Sequence, residues 1–286
     1  MAGKTGPGHS TPGGIEGLVD RLVAADPLLG PWREALGRRL RRVADLEERL
    51  AGGRMRLADF ASGHEYFGLH RRGGEWVLRE WAPNATRVSL VGQMTDWRES
   101  PRFALERLDG AEGVWEIRLP ASAMAHGDLY RLRVHWIGGQ GERIPAWARR
   151  VVQDPQTLIF NAQVWDPPAV YRWRREGFRC TVRTPFVYEA HVGMAQEEER
   201  IGTYREFTEK VLPRIVRAGY DVLQLMAIQE HPYYGSFGYQ VSSFFAASSR
   251  FGTPEDLKAL VDAAHEAGLC VVMDLVHSHA ASNEVE

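Results

Sequence analysis

Apolar and polar positions along the chain fall into three successive patterns. From residue 15 to 51, Trp32, Leu36, Leu40, Val43, Leu46 and Leu50 recur every three or four positions, and Arg38, Arg39, Arg41, Arg42, Glu47, Glu48 and Arg49 fill the gaps. That period predicts an amphipathic helix whose apolar stripe packs on a larger body. Asp26-Pro27 and Gly30-Pro31 set it off from an earlier short helix, and Gly52-Gly53 ends it. The basic run is read as a solvated face. Residues 1–14, rich in Gly, Pro, Ser and Thr, read as a disordered tail ahead of a helical segment over 15–61.

Between residues 62 and 165 the period shortens to two. Tyr130, Leu132, Val134 and Trp136 alternate with Arg131, Arg133 and His135, and Trp115, Ile117 and Leu119 alternate likewise. Gly73-Gly74, Asp109-Gly110 and Gly138-Gly139 mark turns. Several short alternating strands at this spacing predict an antiparallel β-sandwich. Trp97 falls in a turn just after a strand. It either folds onto the sandwich edge or offers a sugar-stacking face, because an indole beside polar donors suits the C–H faces and hydroxyls of a sugar.

A proline-rich, basic connector over 166–184 leads to the third pattern, over 185–286. Apolar runs PFVYEAHVG, DVLQLMAI and GLCVVMDLV read as buried strands. Two helical stretches separate them. In the first, Thr203 and Glu206 form a capping box and Pro213 predicts a kink or break. In the second, Thr253 caps, Pro254 takes the first position and Gly268 ends the turn. Strand, helix, strand, helix, strand with apolar strands predicts a parallel βαβαβ unit, the opening of a barrel or of a doubly wound sheet. The loop from Gln229 to Gly252 is long and rich in Tyr, Phe and Gly, as functional loops are. Gly219–His279 presents its polar and aromatic residues after the strands, where an α/β barrel carries its chemistry.

Composition narrows the field. With 44% hydrophobic and 25% charged residues the chain is an ordinary globular one, and a net charge of −2 supplies no field for nucleic acid or anionic membrane. No apolar run approaches the ~20 residues of a membrane span. The N-terminus has no apolar signal segment, so a cytoplasmic, reducing setting is expected. Cys270 lies within an apolar strand and is expected to be an inert buried thiol. Neither a disulfide framework nor a cysteine zinc site is expected from two cysteines. No dinucleotide or phosphate loop follows any strand, so no cofactor is expected.

Asp274 closes the third strand, with His277 and His279 just beyond it. Three chemistries fit. Asp274 can be a buried carboxylate satisfied by arginine or backbone amides. His277 and His279 can chelate a metal if Glu230, His231 or His191 from other strand ends join them. Carboxylate and imidazole can hydrogen-bond sugar hydroxyls beside an aromatic ring.

Several long stretches resemble known families. WAPNATRVSLVGQMTDW resembles the starch- and glycogen-associated β-sandwich module. VYEAHVG, LMAIQEHPYYGSFGYQVSSFFAASSRFGTPEDLKALVDAAH and DLVHSHAASN resemble the 1,4-α-glucan branching enzymes of the α-amylase clan, closest to the eukaryotic type with its HSH after the third strand. The resemblance implies a carbohydrate-binding β-sandwich (62–165) followed by the first three βα units of an incomplete (β/α)8 TIM barrel (185–286). It implies an α-glucan ligand, no metal and no cofactor.

The same resemblance implies roles. His279 would hold the −1 sugar by its 6-hydroxyl, Asp274 would orient the site, and Tyr239 would stack on the sugar. Trp81, Pro83 and Trp97, with His64 and Glu65, match glucan-contacting positions. Arg149 stands where relatives carry lysine, and Arg and Lys differ in shape and hydration. Gln93-Met94-Thr95 departs from the family's turn, and Ser278 replaces the asparagine of much of the clan. Branching takes two displacements at an anomeric carbon by two carboxyls about 5–5.5 Å apart. In the family the nucleophilic aspartate, the acid/base glutamate and a stabilising aspartate follow strands four, five and seven. All three are therefore expected beyond Glu286, and Glu189 and Glu230 match no catalytic motif. Three strands of eight would leave an open edge and uncovered apolar surface. The 286 residues are expected to be inactive alone. Clan hydrolases or debranching enzymes, a non-catalytic glucan-binding protein and a metal-dependent barrel hydrolase are the rival readings.

Overall fold

The computed structural model describes residues 13–282, so most of the segment expected to be a tail lies outside the described residues. So does Glu286, the residue beyond which the catalytic carboxylates are expected. Two compact units emerge, one ending at Tyr66 and one running from Phe67. The first contains α1 (Gly14–Ala25), α2 (Arg33–Ala51), α3 (Leu57–Phe60) and α4 (Gly63–Tyr66). The break after α1 follows from chemistry at Asp26. Its carboxylate accepts from the Leu28 N–H at 3.0 Å, and Pro27 and Pro31 hold the next turn as a 3-10 helix. Arg41 pairs with Glu16 at 2.6 Å and so ties α2 to α1. The apolar stripe of α2 is less covered than its period predicts. Trp32, Val43, Leu46 and Leu50 are exposed, because α1 has 12 residues against the 19 of α2 and cannot cover the stripe.

The second unit opens with nine strands. They are β1 (Gly68–Arg72), β2 (Glu75–Trp81), β3 (Ala85–Gly92), β4 (Ala104–Arg107), β5 (Val114–Pro120), β6 (Leu129–Trp136), β7 (Gly139–Arg143), β8 (Val151–Gln153) and β9 (Phe160–Gln163). They pair antiparallel in the order β1-β2-β5-β4-β3-β6-β9-β8, with β7 on β6. Trp76, Leu78, Val88, Leu90, Trp115 and Leu132, drawn from both halves of that order, share one core. The two indoles are satisfied inside it. Trp115 donates to Ala82 O at 2.9 Å, and Trp76 donates to the carbonyls of Ala121 and Met124.

Next come β10 (Val187–Ala190), α5 (Tyr204–Glu206), α6 (Leu212–Arg217), β11 (Val222–Leu225), β12 (Gln229–Glu230), β13 (Ser243–Ala247), α7 (Pro254–Glu266) and β14 (Cys270–Met273). β10, β11 and β14 form a parallel sheet with β11 central. The capping box at α5 is present in both directions: the Thr203 hydroxyl accepts from Glu206 N–H at 3.2 Å, and the Glu206 carboxylate accepts from Thr203 N–H at 3.1 Å. Between α5 and α6 the backbone widens into one π turn, Phe207–Val211, with Leu212 N–H reaching Phe207 O. Pro213 explains it: the proline offers no N–H and its ring clashes with the carbonyl four residues back, so the ladder slips by one. Tyr204, Phe207, Leu223, Leu225 and Leu260 form the core here.

Three expectations are corrected. The strands at the two edges are half-exposed where their apolar runs alone predict burial: Val187 on β10, and Val272 and Met273 on β14, meet solvent because among the described residues each strand has one neighbour, the open edge expected of three strands. The long loop contains a short antiparallel hairpin, β12 with β13. Cys270 is not a free thiol. It is bonded to Cys180, 90 residues away, and Cα atoms 5.4 Å apart allow the link. An apolar strand context shows that a cysteine is buried but not who its partner is.

The segment before β10 is strapped onto α7. Asp262 has no exposed surface and accepts from the N–H groups of Arg174 (2.8 Å) and Arg175 (2.9 Å) and from the Tyr171 hydroxyl (3.0 Å). Burial pushes its carboxyl up, but these donors outweigh burial and bring the pKa to about 2. Its stabilising contribution is therefore present above the ordinary aspartate pKa and lost as pH falls through about 2. Asp262→Ala leaves the part-buried N–H groups of Arg174 and Arg175 without their acceptor. A urea melt at neutral pH should show a loss of about 2–4 kcal/mol, and an unchanged midpoint would rule out the strap.

Candidate functional site

Tyr239, Asp274, Gln224 and Glu189 meet at the C-terminal ends of the three parallel strands. The Tyr239 hydroxyl donates to Asp274 Oδ2 at 3.1 Å. Gln224 Nε2 donates to Asp274 Oδ1 at 2.9 Å and to Glu189 Oε1 at 3.2 Å. Burial first, then the hydrogen bond to Asp274, raises the Tyr239 phenol above its ordinary pKa, so it stays a neutral donor. Parallel register sets this row, because Glu189 pairs with Gln224 and Gln224 with Val272, two positions before Asp274. Sequence reasoning misses Gln224. Its only signal is a polar residue inside an apolar strand.

Tyr239 owes its place to the residue before it. Gly238 has φ +88°, and a Cβ there would overlap the Ala227 carbonyl, so only glycine lets the loop press onto the end of β11. The stem of the loop is clamped by Arg250, which donates to the carbonyls of His231 and Pro232 (2.6 Å to Pro232). Glu230 is wholly buried and accepts from Ser249 N–H at 2.7 Å, Ser248 Oγ at 3.3 Å and Arg250 at 3.4 Å. Burial raises its pKa against those donors. Glu230 is thus a structural carboxylate.

His279 is exposed on the following segment, its Nδ1 2.7 Å from Ser278 Oγ. That segment runs beside the Tyr239 loop, where Ala281 N–H donates to Val241 O at 2.8 Å. The residues weighed as metal ligands are not gathered. Among the described residues no three such side chains converge. His191 and His231 are buried against Phe251, and burial lowers both of their pKa values. His277 and His279 are exposed.

The sandwich residues separate into two places. Trp81 and Pro83 lie together and exposed over Gly113, where a Cβ would come within 2.8 Å of the proline and 3.0 Å of the indole nitrogen. Trp97 lies elsewhere, its ring 5.5 Å from the Arg131 guanidinium. Successive strand residues face opposite ways. Arg131 of β6 therefore underlies Trp97 while Leu132 and Val134 border the hollow beside Trp81. Alternation puts Arg131 on the polar side of β6, yet the ring and the Glu142 carboxylate, at 2.6 Å, cover it. Asp96 and Trp97 both have positive φ, 48° and 58°, a strained turn that holds the indole out of the core. Arg149 is exposed and donates to Leu69 O at 3.1 Å. His64 and Glu65 stand exposed on α4 in the first unit, 3.9 Å apart.

The two halves of the second unit are one joint. Ala246 of β13 is buried in the sandwich core. Arg150 donates to Gly252 O at 2.8 Å, Trp165 donates to Glu255 at 3.0 Å, and Arg250 lies over Phe160 at 5.5 Å.

Comparison with known proteins fits this geometry. Residues 66–155 match the model of carbohydrate-binding module 48 (isoamylase N-terminal domain), and residues 189–286 match that of the alpha amylase catalytic domain. The chain superposes on a pullulanase from Bacillus acidopullulyticus (TM-score 0.60, 18% identity, 75% of this chain and 30% of that one). It also superposes on the GBS pullulanase SAP in complex with maltotetraose (TM-score 0.62, 19% identity, 76% and 34%). At these identities the likeness concerns the fold. With the two family matches, the fold is that of the α-amylase type: a sandwich matching carbohydrate-binding module 48 joined to the start of the alpha amylase catalytic domain. Within that class the chain is a homologue of the 1,4-alpha-glucan-branching enzymes. It is 42% identical over 275 residues to that of Aspergillus oryzae, covering 93% of this chain and 39% of the relative. It is 43% identical over 270 residues to that of Yarrowia lipolytica, covering 90% and 38%. The chain thus spans about two fifths of the length of the curated relatives it matches. Among the described residues no helix is long and apolar enough to cross a membrane.

Glu80, next to Trp81, has its carboxyl pushed up to about 7 by burial, against the N–H groups of Ala146 and Trp81. The folded state keeps this proton after the unfolded chain has lost it, so raising pH favours unfolding. Thermal stability should fall between pH 4.5 and about 7, and Glu80→Gln should flatten that slope. A slope unchanged in the variant would assign the pH dependence to another group.

Proposed function

We propose that this chain binds α-1,4-glucan at two places on the sandwich and at the strand ends, and that it serves 1,4-α-glucan branching. The observation that carries the reading is the Tyr239–Asp274–Gln224 row at the C-terminal ends of parallel strands, where barrel enzymes hold substrate. In this reading the Tyr239 ring stacks on the −1 sugar. Asp274 fixes the ring through the phenol and orients the sugar, and His279 takes its 6-hydroxyl. Trp97, over Arg131, and Trp81 with Pro83 offer rings to the chain outside the site. His64, Glu65 and Arg149 are further contacts. The named relatives are branching enzymes, which favours a glucan hydroxyl over water as acceptor.

The reaction itself is a retaining double displacement: a carboxylate attacks the anomeric carbon, a second carboxyl protonates the leaving chain, and a 6-hydroxyl then displaces the enzyme. The carboxyls at these three strands do not suit that work. Glu230 has no exposed surface and its oxygens are taken, while Glu189 and Asp274 share the Gln224 amide. This supports a reading in which Glu230, Glu189 and Asp274 are not the reacting carboxyls. The 286 residues by themselves are therefore proposed to bind glucan without branching it.

In native gels containing glycogen the chain should be retarded, and Trp97→Ala should run measurably faster; equal mobility removes Trp97 from the binding surface. Incubated with amylose, the pure chain should leave the iodine spectrum unchanged, and a shift would show that it branches or cleaves.

A further inference from the structure

We propose that Phe244 is a glucan-contacting ring that carries a bound chain from the sandwich to the strand-end cluster. The inference rests on the glucan-binding reading above and extends it to a residue with no assigned role.

A groove of about 370 Å³ lies between the sandwich and the hairpin. Trp81, Arg143, Pro145 and Ala146 line it from one side, and Ser242 and Phe244 from the other. Two rings face its open space, Trp81 at 59% and Phe244 at 38% exposure. The exposure of Phe244 differs in kind from that of its neighbours. Phe245 stacks on Trp147 with centroids 4.0 Å apart, and Ala246 is buried in the sandwich core. Those two residues secure the hairpin. Phe244 instead meets the His277 ring, tilted at 5.8 Å.

The position of Phe244 is nevertheless fixed. Gln229, 4% exposed, donates through Nε2 to Phe244 O at 3.0 Å and accepts through Oε1 from Val276 N–H at 2.9 Å. One buried amide thus locks the Phe244 backbone to the segment that carries His277 and His279. Asp274, which holds Tyr239, lies three residues before His277. Phe244 thus lines the groove on one side and touches, through His277, the segment that follows Asp274. A ring carried on a held backbone and resting against His277 has less freedom to lose when a ligand arrives, which lowers the cost of binding.

The occupant this geometry suits is an α-1,4-linked glucose chain. Its sugars present apolar C–H faces to rings and hydroxyls to the Arg143 guanidinium and the Ser242 hydroxyl. The match of residues 66–155 to a carbohydrate-binding module supports a sugar as the occupant on the sandwich side.

The test is calorimetric titration of the 286-residue chain, in a Trp97→Ala background that silences the other sandwich face, with maltotriose and maltoheptaose. Trp81→Ala, Phe244→Ala and Phe244→Trp are compared, and circular dichroism melts confirm that each is folded. Phe244→Ala should weaken maltoheptaose by about three- to tenfold, the size of one aromatic contact, and maltotriose less. Phe244→Trp should restore the affinity. If Trp81→Ala weakens binding and Phe244→Ala does not, Phe244 is no contact while the glucan reading stands. If Phe244→Trp fails as Phe244→Ala does, the ring is not what the sugar meets. If the background protein itself binds neither sugar, and the wild type is not retarded on glycogen, both readings fall.

Discussion

A buried carboxylate organises the working face of this chain. Glu230 has no exposed surface, and its two oxygens draw in Ser248, Ser249 and the Arg250 guanidinium from the far arm of the hairpin. Removing a carboxylate from water costs several kcal/mol unless such donors surround it. The hairpin therefore closes in the one arrangement that supplies them. Arg250, drawn in by Glu230, also holds the carbonyls of His231 and Pro232 and lies over Phe160 of the sandwich. That pair ties the loop stem and the hairpin to the sandwich, alongside Ala246, Phe245 and Arg150.

Everything at the strand ends follows from where this clamp releases the chain. The loop leaves His231, turns, and returns to β11 at Gly238, whose missing side chain permits contact with Ala227. Tyr239 then meets Asp274, and Gln224 completes the row from the central strand. Cys180 and Cys270 join the strapped segment to the first residue of β14, the strand that Asp274 follows. The row is thus held through its loop at one end and through its edge strand at the other.

Much of this is legible from spacing. The apolar runs mark the three parallel strands, Thr203 and Thr253 mark both helix starts, and Pro213 marks the π turn, because each of these is decided by neighbours within a few residues. Trp81, Trp97, Tyr239, Asp274 and His279 can be singled out by residue type and by resemblance. Gln224, Gln229, Arg131 and Arg250 cannot. Each acts through a partner on another element, and nothing local marks an amide or guanidinium that will be buried between strands. The apolar runs alone do not show which strands are edges; the exposure follows from there being three strands of an expected eight.

The sequence by itself determined the local elements, the division into helical, antiparallel and parallel stretches, and the aromatic, carboxylate and imidazole side chains on offer at the candidate site. Those rest on backbone propensity, capping and periodicity, which act over a few residues. Tertiary structure alone decided that Trp81 and Trp97 lie on different faces, that Glu230 is a buried structural carboxylate, that the two cysteines are bonded, and that Phe244 lines the groove while touching His277. Those outcomes depend on pairings across 20 to 90 residues, where burial and hydrogen-bond satisfaction choose among partners that the linear order leaves equivalent.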